Sequence, residues 1–304
     1  MGGPVFDLLA ALEAAMQARR GEDGYPFFWF RRAGKGQREL RLMIHDGPGS
    51  VDWHRELLKT EIQRCLTPET EVDAVEELPY AATPEVFGGP PFTEDKTHLG
   101  LATRFLGVGC RRLLPVLGAP SVDGDVASER DLFFARLVGE MTRSLGMSDG
   151  ERVAFLVYYR DWLIRWPLMI KKASQAAADQ WVVKLEQRAA AAPETTESLG
   201  RACREACASD AEEAGDSAAV EWHAVCGELG AYLRSKESVP EYRVDPFSEN
   251  LMSPPVCKPL LSLSNALGYG TAEQAQVFHA MIKALGPERA LETIPLRPKA
   301  AHGQ

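Results

Sequence analysis

Ten side chains of this protein could donate a hydrogen bond to an amide oxygen or move a proton at an amide nitrogen. They are Arg41, His45, Tyr80, Tyr158, Asp161, Arg165, Ser262, Ser264, Asn265 and Tyr269. Arginine and the neutral hydroxyl and amide groups can hold an oxygen, whereas histidine and aspartate can act as weak bases. This set predicts hydrogen-bonding and acid–base chemistry at an uncharged group.

Two groups of these candidates occur at helical spacing. Tyr158, Asp161 and Arg165 are three and four residues apart, so they share one face of a predicted helix, where they could line a cavity. Ser262 and Asn265 share a face of a second predicted helix, with a tyrosine four residues further on. The remaining candidates belong to a predicted strand and loop in the first third of the chain.

Each candidate also has an ordinary structural interpretation. Asp161 and Arg165 could form a surface ion pair beside a core tyrosine. Arg41 could pair with a surface carboxylate, a single histidine is more often structural than catalytic, and Tyr80 could be a packed aromatic. The carboxyl-terminal hydroxyls could cap helices around Gly268. At the level of sequence, both interpretations stay open.

The composition predicts a cytoplasmic globular protein. Of 304 residues, 45% are hydrophobic and 25% charged, and no apolar run reaches the roughly 18–20 residues of a membrane helix. The amino terminus lacks the features of a secretory signal. The net charge of −9 argues against non-specific binding to nucleic acid. We therefore expect neither a nucleic-acid partner nor a membrane partner.

No cofactor or metal is predicted. The chain has no Walker loop, no dinucleotide-binding glycine pattern, no zinc-protease helix and no nucleophile elbow. Its six cysteines are dilute. Cys203 and Cys207 lack a second cysteine pair or a histidine at ligand spacing, so they are interpreted as small buried hydrophobic residues.

The predicted fold class is α+β, with a small strand-bearing amino-terminal third packed on a larger helical remainder. One domain is expected over residues 1–304, strand-rich over 25–91, helix-rich over 95–285 and a tail over 288–304. The strand-rich part begins with a predicted hairpin whose loop is basic.

Several helical boundaries can be predicted. Capping boxes begin helices at Ser128 and Ser148, and Pro167 should kink or break the second of these helices. The Ala/Glu/Thr-rich segment 189–216 is interpreted as a solvated, loosely packed connection with some helix. The remaining predicted elements are a third strand over 70–78 and helices over 51–65, 216–235, 258–267 and 271–285.

Three passages carry a resemblance to a known family. Phe27-Phe-Trp-Phe-Arg-Arg32 precedes Glu39-Leu-Arg-Leu-Met43, Tyr80-Ala-Ala-Thr-Pro-Glu-Val-Phe-Gly-Gly89 follows, and Leu261-Ser-Leu-Ser-Asn-Ala-Leu267 lies near the end. In this order they resemble the thiopeptide-type bacteriocin biosynthesis domain, which also forms the elimination domain of class I lantibiotic dehydratases. The corresponding family patterns are H-x-R-x-R, a tyrosine block ending in R-Y-G-G, and H-M-x-x-N-R-L. The resemblance spans nearly the whole chain.

The departures from the family pattern change what the resemblance implies. Arg41 keeps one arginine, but Glu39 and Met43 replace its flanking histidine and second arginine. Val86 and Leu261 stand where the elimination arginine and histidine are expected. Valine and leucine can neither remove a proton nor hold a departing glutamate. In this respect the chain is similar to the stand-alone pyridine synthases of thiopeptide pathways.

That resemblance implies a specific reaction and partner. Two dehydroalanines of a leader-bearing azole peptide would join by a formal aza-cycloaddition, and water and the leader peptide carboxamide would leave. The reaction is redox-neutral and requires an amide to tautomerise to its iminol. The main partner would be the modified precursor peptide, and contact with other pathway enzymes is a further expectation.

The leader peptide would need a local docking site, because such leaders are commonly acidic and this chain is acidic too. The residues predicted to bind it surround the hairpin turn and are Arg31, Arg32, Lys35 and Arg38. The neighbouring aromatic strand could offer an edge for strand addition or a groove for an amphipathic leader helix. Arg111-Arg112 and Lys171-Lys172 are alternative basic patches.

Two other functions remain as alternatives. The chain could be a split class I dehydratase half that eliminates glutamate, if the missing arginine and histidine come from elsewhere in the chain. It could also be a non-catalytic partner that binds the leader and presents the peptide to other enzymes.

Overall fold

The computed structural model describes most of the chain. The described residues are 4–21, 26–33, 39–45, 53–65, 89–117, 127–209, 217–243, 245, 247–248 and 251–296. The predicted third strand over 70–78 and the candidates Tyr80, Lys35 and Arg38 lie outside these ranges. Of Arg32, only the backbone is described.

The described residues are mostly helical, with one two-stranded antiparallel sheet, so the α+β class is confirmed at that level. The elements are α1 (Pro4–Gln17), β1 (Phe27–Ala33), β2 (Glu39–His45), α2 (Trp53–Cys65), α3 (Lys96–Leu117), α4 (Glu129–Ser144), α5 (Asp149–Ile170), α6 (Gln175–Ala191), α7 (Pro193–Ala208), α8 (Ser217–Ser235), α9 (Ser253–Ala266) and α10 (Thr271–Leu285). Short 3-10 turns span Pro240–Tyr242 and Pro287–Arg289. None of the described helices is long and apolar enough to cross a bilayer.

The predicted hairpin forms and packs its first strand into the core. β1 pairs with β2 and lies against α3 and α9. Its four aromatic residues, 27–30, are all buried. At Gly107 of α3 a Cβ atom would come within 2.4 Å of the Phe27 ring, so glycine permits this close approach. Because both faces of β1 are covered, its sequence is a continuous aromatic run without alternation.

The prediction of a loose connection over 189–216 is wrong. Its described part is the end of α6 and the whole of α7, and α7 packs between α4 and α10. At Gly139 a Cβ would lie 2.6 Å from the Cys203 carbonyl oxygen, and at Gly200 it would lie 2.4 Å from the Ala284 Cβ. The small residues therefore serve close helix packing, which composition alone does not distinguish from a solvated linker.

The break that was one of the two outcomes predicted at Pro167 does not occur, since α5 continues through it to Ile170. Pro167 lies in the last turn, where its missing N–H removes one helical hydrogen bond. The Pro167 carbonyl still accepts a hydrogen bond from the Lys171 N–H at 3.2 Å, which closes the helix end.

The predicted tail over 288–304 is anchored in its described part. The Arg160 guanidinium, which has no exposed surface, donates to the carbonyl oxygens of Ala290, at 2.6 Å, and Glu292. The Asp161 carboxylate accepts a hydrogen bond from the Ile294 N–H at 2.6 Å. Residues 290–296 are therefore held against α5 by two adjacent polar side chains.

The Arg160 guanidinium is also satisfied on its other sides. Its Nε donates to the Asp161 carboxylate at 2.7 Å, and its Nη1 donates to the His279 Nδ1 at 3.2 Å. His279 Nε2 lies 2.9 Å from the Glu186 carboxylate, so the histidine donates there as a neutral ring. Burial lowers the pKa of His279, and Arg160 lowers it further, against the opposing effect of Glu186. A fully paired guanidinium can be buried, whereas an unpaired one cannot.

Arg160→Met should lower the free energy of unfolding by about 3–5 kcal/mol, because it leaves the buried Asp161 carboxylate without its cation. Urea denaturation measures this change, and limited proteolysis should show earlier cleavage near residues 290–296. Arg201→Met is the control, since Arg201 forms an exposed pair with Glu197 and its loss should cost less than about 1 kcal/mol. Equal effects of the two variants would contradict the anchoring role.

Candidate functional site

Two predicted candidates, Tyr158 and Arg165, converge on one carboxylate. The Tyr158 hydroxyl donates to the Asp245 Oδ2 at 2.5 Å, and the Arg165 Nη2 donates to the same oxygen at 2.7 Å. The Arg165 guanidinium also lies over the Phe247 ring, 4.6 Å from its centre. We call these four residues the Asp245 cluster.

The helix and a short turn position this cluster. Tyr158 and Arg165 are seven residues apart on α5, which is close to two helical turns, so their side chains leave the helix in nearly the same direction. The Asp245 Oδ1 accepts a hydrogen bond from the Phe247 N–H at 2.9 Å, an Asx turn that fixes the carboxylate. The turn therefore aims its other oxygen at the two α5 side chains.

The cluster holds its groups in defined protonation states. Burial alone would raise the pKa of Asp245, but hydrogen bonds from Arg165 and Tyr158 outweigh burial and hold that pKa below its usual range. Burial raises the pKa of Tyr158 far above its usual value, and the nearby Cys257 and Asp245 raise it further. At neutral pH the site therefore presents a carboxylate, a guanidinium and a protonated phenol.

Such a site can hold a polar, uncharged group by hydrogen bonds. The guanidinium is a donor for an oxygen and the carboxylate is an acceptor for an N–H, while the single phenol proton can serve an oxygen only by leaving the Asp245 carboxylate. An amide needs this combination when it passes to its iminol form, because a proton leaves nitrogen as one reaches oxygen. The lowered pKa of Asp245 makes it a weak base, so it can hold that proton only transiently.

Asp161, the third residue of the predicted polar row, does not join the Asp245 cluster. Its two carboxylate oxygens accept from the Arg160 Nε and the Ile294 N–H, so the expected Asp161–Arg165 ion pair is wrong. Burial raises the pKa of Asp161, although the Arg160 guanidinium opposes that shift. Around the axis of α5, Tyr158 and Arg165 are closer to each other than either is to Asp161. Asp161 therefore has different partners from the other two residues.

The carboxyl-terminal candidates form hydrogen bonds inside the core. The Ser262 and Ser264 hydroxyls donate to the carbonyls of Lys258, at 3.3 Å, and Leu261, at 2.9 Å, within α9. The Asn265 side-chain oxygen accepts from the Gln274 amide at 3.3 Å. Both serines are buried, so in this structure these groups stabilise α9 and its junction with α10.

Tyr269 is likewise engaged by the core. Its hydroxyl donates to Asp131, an N-terminal residue of α4, and the Arg130 guanidinium covers its ring at 4.4 Å. Burial raises the pKa of Tyr269, and the Asp131 carboxylate raises it further. The phenol therefore links the start of α4 to the turn before α10 and stays protonated.

The hairpin places its candidates near the surface. Arg41 is exposed on β2 and lies directly opposite Arg31 of β1 in the strand register. The His45 ring stacks on the Phe27 ring at 5.0 Å between centres. The strand register therefore brings two of the basic candidate residues to one place on the hairpin.

The aromatic strand does not offer the edge that the sequence suggested for strand addition. The Phe30 N–H donates to the Cys110 sulfur at 3.4 Å, and that sulfur lies 3.5 Å from the Phe30 carbonyl oxygen. Burial raises the pKa of the Cys110 thiol to about 12, so the thiol stays protonated and can donate. Helix α3 thus occupies this part of the outer edge of β1.

The alternative basic patches differ from each other. Arg111 lies 2.8 Å from the Glu221 carboxylate, and Arg112 lies 2.8 Å from Glu140, so both cations of the first patch are neutralised by neighbouring acids. Lys171 and Lys172 are exposed just after α5. Of these two alternative patches, the end of α5 is therefore the better candidate for contact with an acidic partner.

Asp245 is the site residue that the sequence analysis did not identify. It lies 80 residues from Arg165 along the chain, and no spacing rule connects the two. The sequence around Asp245 contains only a local indication of its role. Asp245 precedes Pro246 in a segment rich in turn-forming residues, and this pattern favours an Asx turn. That pattern predicts the turn and leaves the partners of its carboxylate undefined.

Comparison with known proteins gives no match, either to a protein-family model or to a curated protein. Within the described residues, no group of three or more His, Cys, Asp or Glu side chains is arranged to hold a metal ion. The Asp245 cluster is instead a hydrogen-bonding arrangement of a carboxylate, a phenol and a guanidinium.

The Asp245 cluster should make stability depend on pH. Because the folded-state pKa of Asp245 is depressed, its contribution is complete above the unfolded-state value of about 3.9 and is lost as the pH falls below it. Asp245→Asn should therefore destabilise the protein by about 1–2 kcal/mol at pH 6, and this difference should shrink toward pH 3. Urea denaturation at both pH values measures it.

Glu197→Gln is the matched control for this prediction, since Glu197 is exposed and forms a surface ion pair with Arg201. It should change stability by less than about 1 kcal/mol at either pH. A difference between wild type and Asp245→Asn that stayed constant from pH 6 to pH 3 would contradict the ionised state assigned to Asp245.

Proposed function

We propose that this chain is a pyridine-forming cyclase that acts on a leader-bearing, dehydrated azole peptide. The observation that carries the proposal is the convergence of Tyr158 and Arg165, both chosen from the sequence, on the Asp245 carboxylate. The order of the family-like passages around Arg41 and Tyr80 supports it. The replacement of the elimination arginine and histidine by Val86 and Leu261 favours this reaction over glutamate elimination.

The proposed role of the cluster is to stabilise the iminol form of one backbone amide. In the proposed complex the amide lies between Tyr158 and Asp245, so the Tyr158 hydroxyl exchanges its hydrogen bond to Asp245 for one to the amide oxygen, and Arg165 adds positive charge beside it. The Asp245 carboxylate accepts the amide N–H, takes up that proton as the iminol forms and delivers it to the amide oxygen, so the transfer balances without another base. Because Tyr158 stays protonated, it serves as a donor throughout and never as a base.

Most of the rate acceleration would come from orientation. Two alkenes that are distant in a flexible peptide must meet in one geometry, and enclosing them can contribute roughly 7–11 kcal/mol. The protein needs few polar groups for this, since an uncharged cycloaddition develops little charge. The Asp245 cluster supplies the polar anchor, and the partly exposed Phe247 ring, which the Arg165 guanidinium covers on one face, supplies apolar surface for an azole.

The proposed leader-docking surface is the hairpin. Arg31 and Arg41 are paired across the two strands and Arg41 is exposed, so side chains of an acidic leader could contact the hairpin there. Because Cys110 engages the edge of β1 at Phe30, the leader would dock through side-chain contacts with the arginines rather than by adding a strand there.

The reaction can be tested with purified protein and a synthetic leader-bearing peptide that contains two dehydroalanines and thiazoles. Mass spectrometry should show loss of the leader as its carboxamide and of water. Tyr158→Phe should lower turnover by about 10-fold to 100-fold while leaving leader affinity nearly unchanged, because it removes one hydrogen bond that strengthens during the reaction. Tyr232→Phe is a control at a tyrosine outside the cluster.

The outcomes also separate the alternatives. Unchanged peptide that nevertheless binds with measurable affinity would indicate a non-catalytic partner. Release of glutamate from a glutamylated peptide would indicate an elimination enzyme. Equal turnover by wild type and Tyr158→Phe would remove the Asp245 cluster from the reaction.

Leader docking has its own test, which uses the isolated leader peptide and fluorescence anisotropy. Arg31→Gln should weaken binding by roughly 3-fold to 10-fold, and the effect should diminish at high salt, because the contact is electrostatic. Lys171→Gln, at the other exposed basic patch, should leave affinity unchanged. Weaker binding by Lys171→Gln, together with unchanged binding by Arg31→Gln, would place the docking site at the end of α5 instead.

A further inference from the structure

A histidine with no exposed surface lies outside the Asp245 cluster, between α5, α6 and α10. His279 belongs to α10, and both of its ring nitrogens have partners. Its Nδ1 lies 3.2 Å from the Arg160 Nη1, and its Nε2 lies 2.9 Å from the Glu186 carboxylate. Because a guanidinium can only donate, Nδ1 is the acceptor and the ring proton lies on Nε2. The two partners therefore fix the tautomer of the neutral ring.

Three charged side chains determine whether this ring can take up a proton. Arg160 comes from α5 and Glu186 from α6, and Lys283, one turn further along α10, pairs with Glu186. Burial lowers the pKa of His279, and the two cations lower it further, against the opposing effect of Glu186. The ring is therefore neutral at pH 7.

The other elements packed against α10 use their charged and aromatic groups in other contacts. α7 approaches α10 at Gly200, and its Arg204 donates to a backbone carbonyl of α10 at 3.1 Å. α4 contributes the aromatic ring of Phe134. In the turn after α10, Arg289 pairs with Glu292 at 2.8 Å. The charge state of the histidine is therefore set by its partners on α5 and α6 and by the lysine of α10.

A second proton on the ring must bind at Nδ1, because Nε2 already carries one. It would place an N–H of His279 3.2 Å from an N–H of Arg160, so the hydrogen bond is lost and two cations face each other. Glu186 keeps its hydrogen bond to Nε2 and gains an ion pair. The ring therefore stays in place, and the guanidinium is the group that moves.

That guanidinium also holds the segment 290–296, which we call the strap. The same Nη1 donates to the Ala290 carbonyl oxygen at 2.6 Å, and Nη2 donates to the carbonyl oxygen of Glu292. Beside them, the Ile294 N–H donates to the Asp161 carboxylate, which pairs with the Nε of the same guanidinium. A displacement of the guanidinium therefore disturbs three main-chain contacts between the strap and α5.

We propose that His279 is a pH-sensitive switch for the strap: the neutral ring keeps the strap on α5, and the protonated ring releases it. The strap covers apolar surface, since Leu296 is buried and Ile294 packs against the core. Its release at acid pH would therefore change the surface that the protein presents to a partner. This switch does not depend on the proposed cyclase activity.

The pH range of the switch follows from the linkage between protonation and strap binding. When the strap is released, the pKa of His279 returns toward its ordinary value of about 6.5, whereas the bound strap holds it lower. The bound strap is therefore fully favoured above about pH 6.5 and is lost progressively as the pH falls below that value. At about pH 5.5 the equilibrium constant for opening should have risen by about 10-fold.

Hydrogen–deuterium exchange of the full-length native protein, followed by mass spectrometry of the carboxyl-terminal peptide, measures opening of the strap. After correction for the intrinsic exchange rates, protection of the strap amides should fall by about 10-fold between about pH 7.5 and about pH 5.5. His279→Asn keeps an oxygen near the position of Nδ1 and cannot take up a proton, so its protection should change by less than about 2-fold.

Two results of this measurement would overturn the proposal. The first is equal protection of the wild-type strap at both pH values. The second is an equal loss of protection in wild type and His279→Asn, which would assign the effect to Asp161, since burial raises the pKa of that carboxyl group.

A second variant keeps the proposal testable if His279→Asn does not fold. Glu186→Gln removes the charge that favours the protonated ring, so loss of strap protection should begin at a pH lower by about 1. His223→Gln is the control, since His223 lies on α8, where it contacts Ser144, and its pKa is also lowered. It should behave like wild type. Loss of protection at the same or a higher pH in Glu186→Gln would contradict the switch.

Discussion

The burial of one guanidinium constrains most of this structure. Arg160 lies in the middle of α5 with no exposed surface, and it can remain there only because each side of its planar group has an acceptor. Those acceptors come from α5 itself, from α10 and from the segment 290–296. Together they fix how α5 is rotated about its axis.

That rotation has consequences on the opposite side of the helix. At about 100° per residue, Tyr158 and Arg165 leave α5 on the side away from Arg160, so burying the guanidinium turns both toward Asp245. One helix therefore provides a cation to two places, the carboxyl-terminal segment and the Asp245 cluster.

Local signals in the sequence predicted local structure well. The capping boxes at Ser128 and Ser148 begin α4 and α5, and their reciprocal hydrogen bonds are present. The strand over 39–45 and the helix over 271–285 have the predicted limits. The prediction of loose packing over 189–216 was wrong because composition does not distinguish the two cases. Alanine and glycine are equally compatible with a solvated linker and with tight helix packing.

The sequence by itself determined which side chains share a face, because helical and strand periodicity follow from backbone geometry alone. It therefore placed Tyr158 and Arg165 together. Only the tertiary structure decided their partner, Asp245, and the separation of Asp161 from them. Contacts between residues about 80 positions apart depend on how buried groups, above all Arg160, orient whole helices, and no local pattern encodes that orientation.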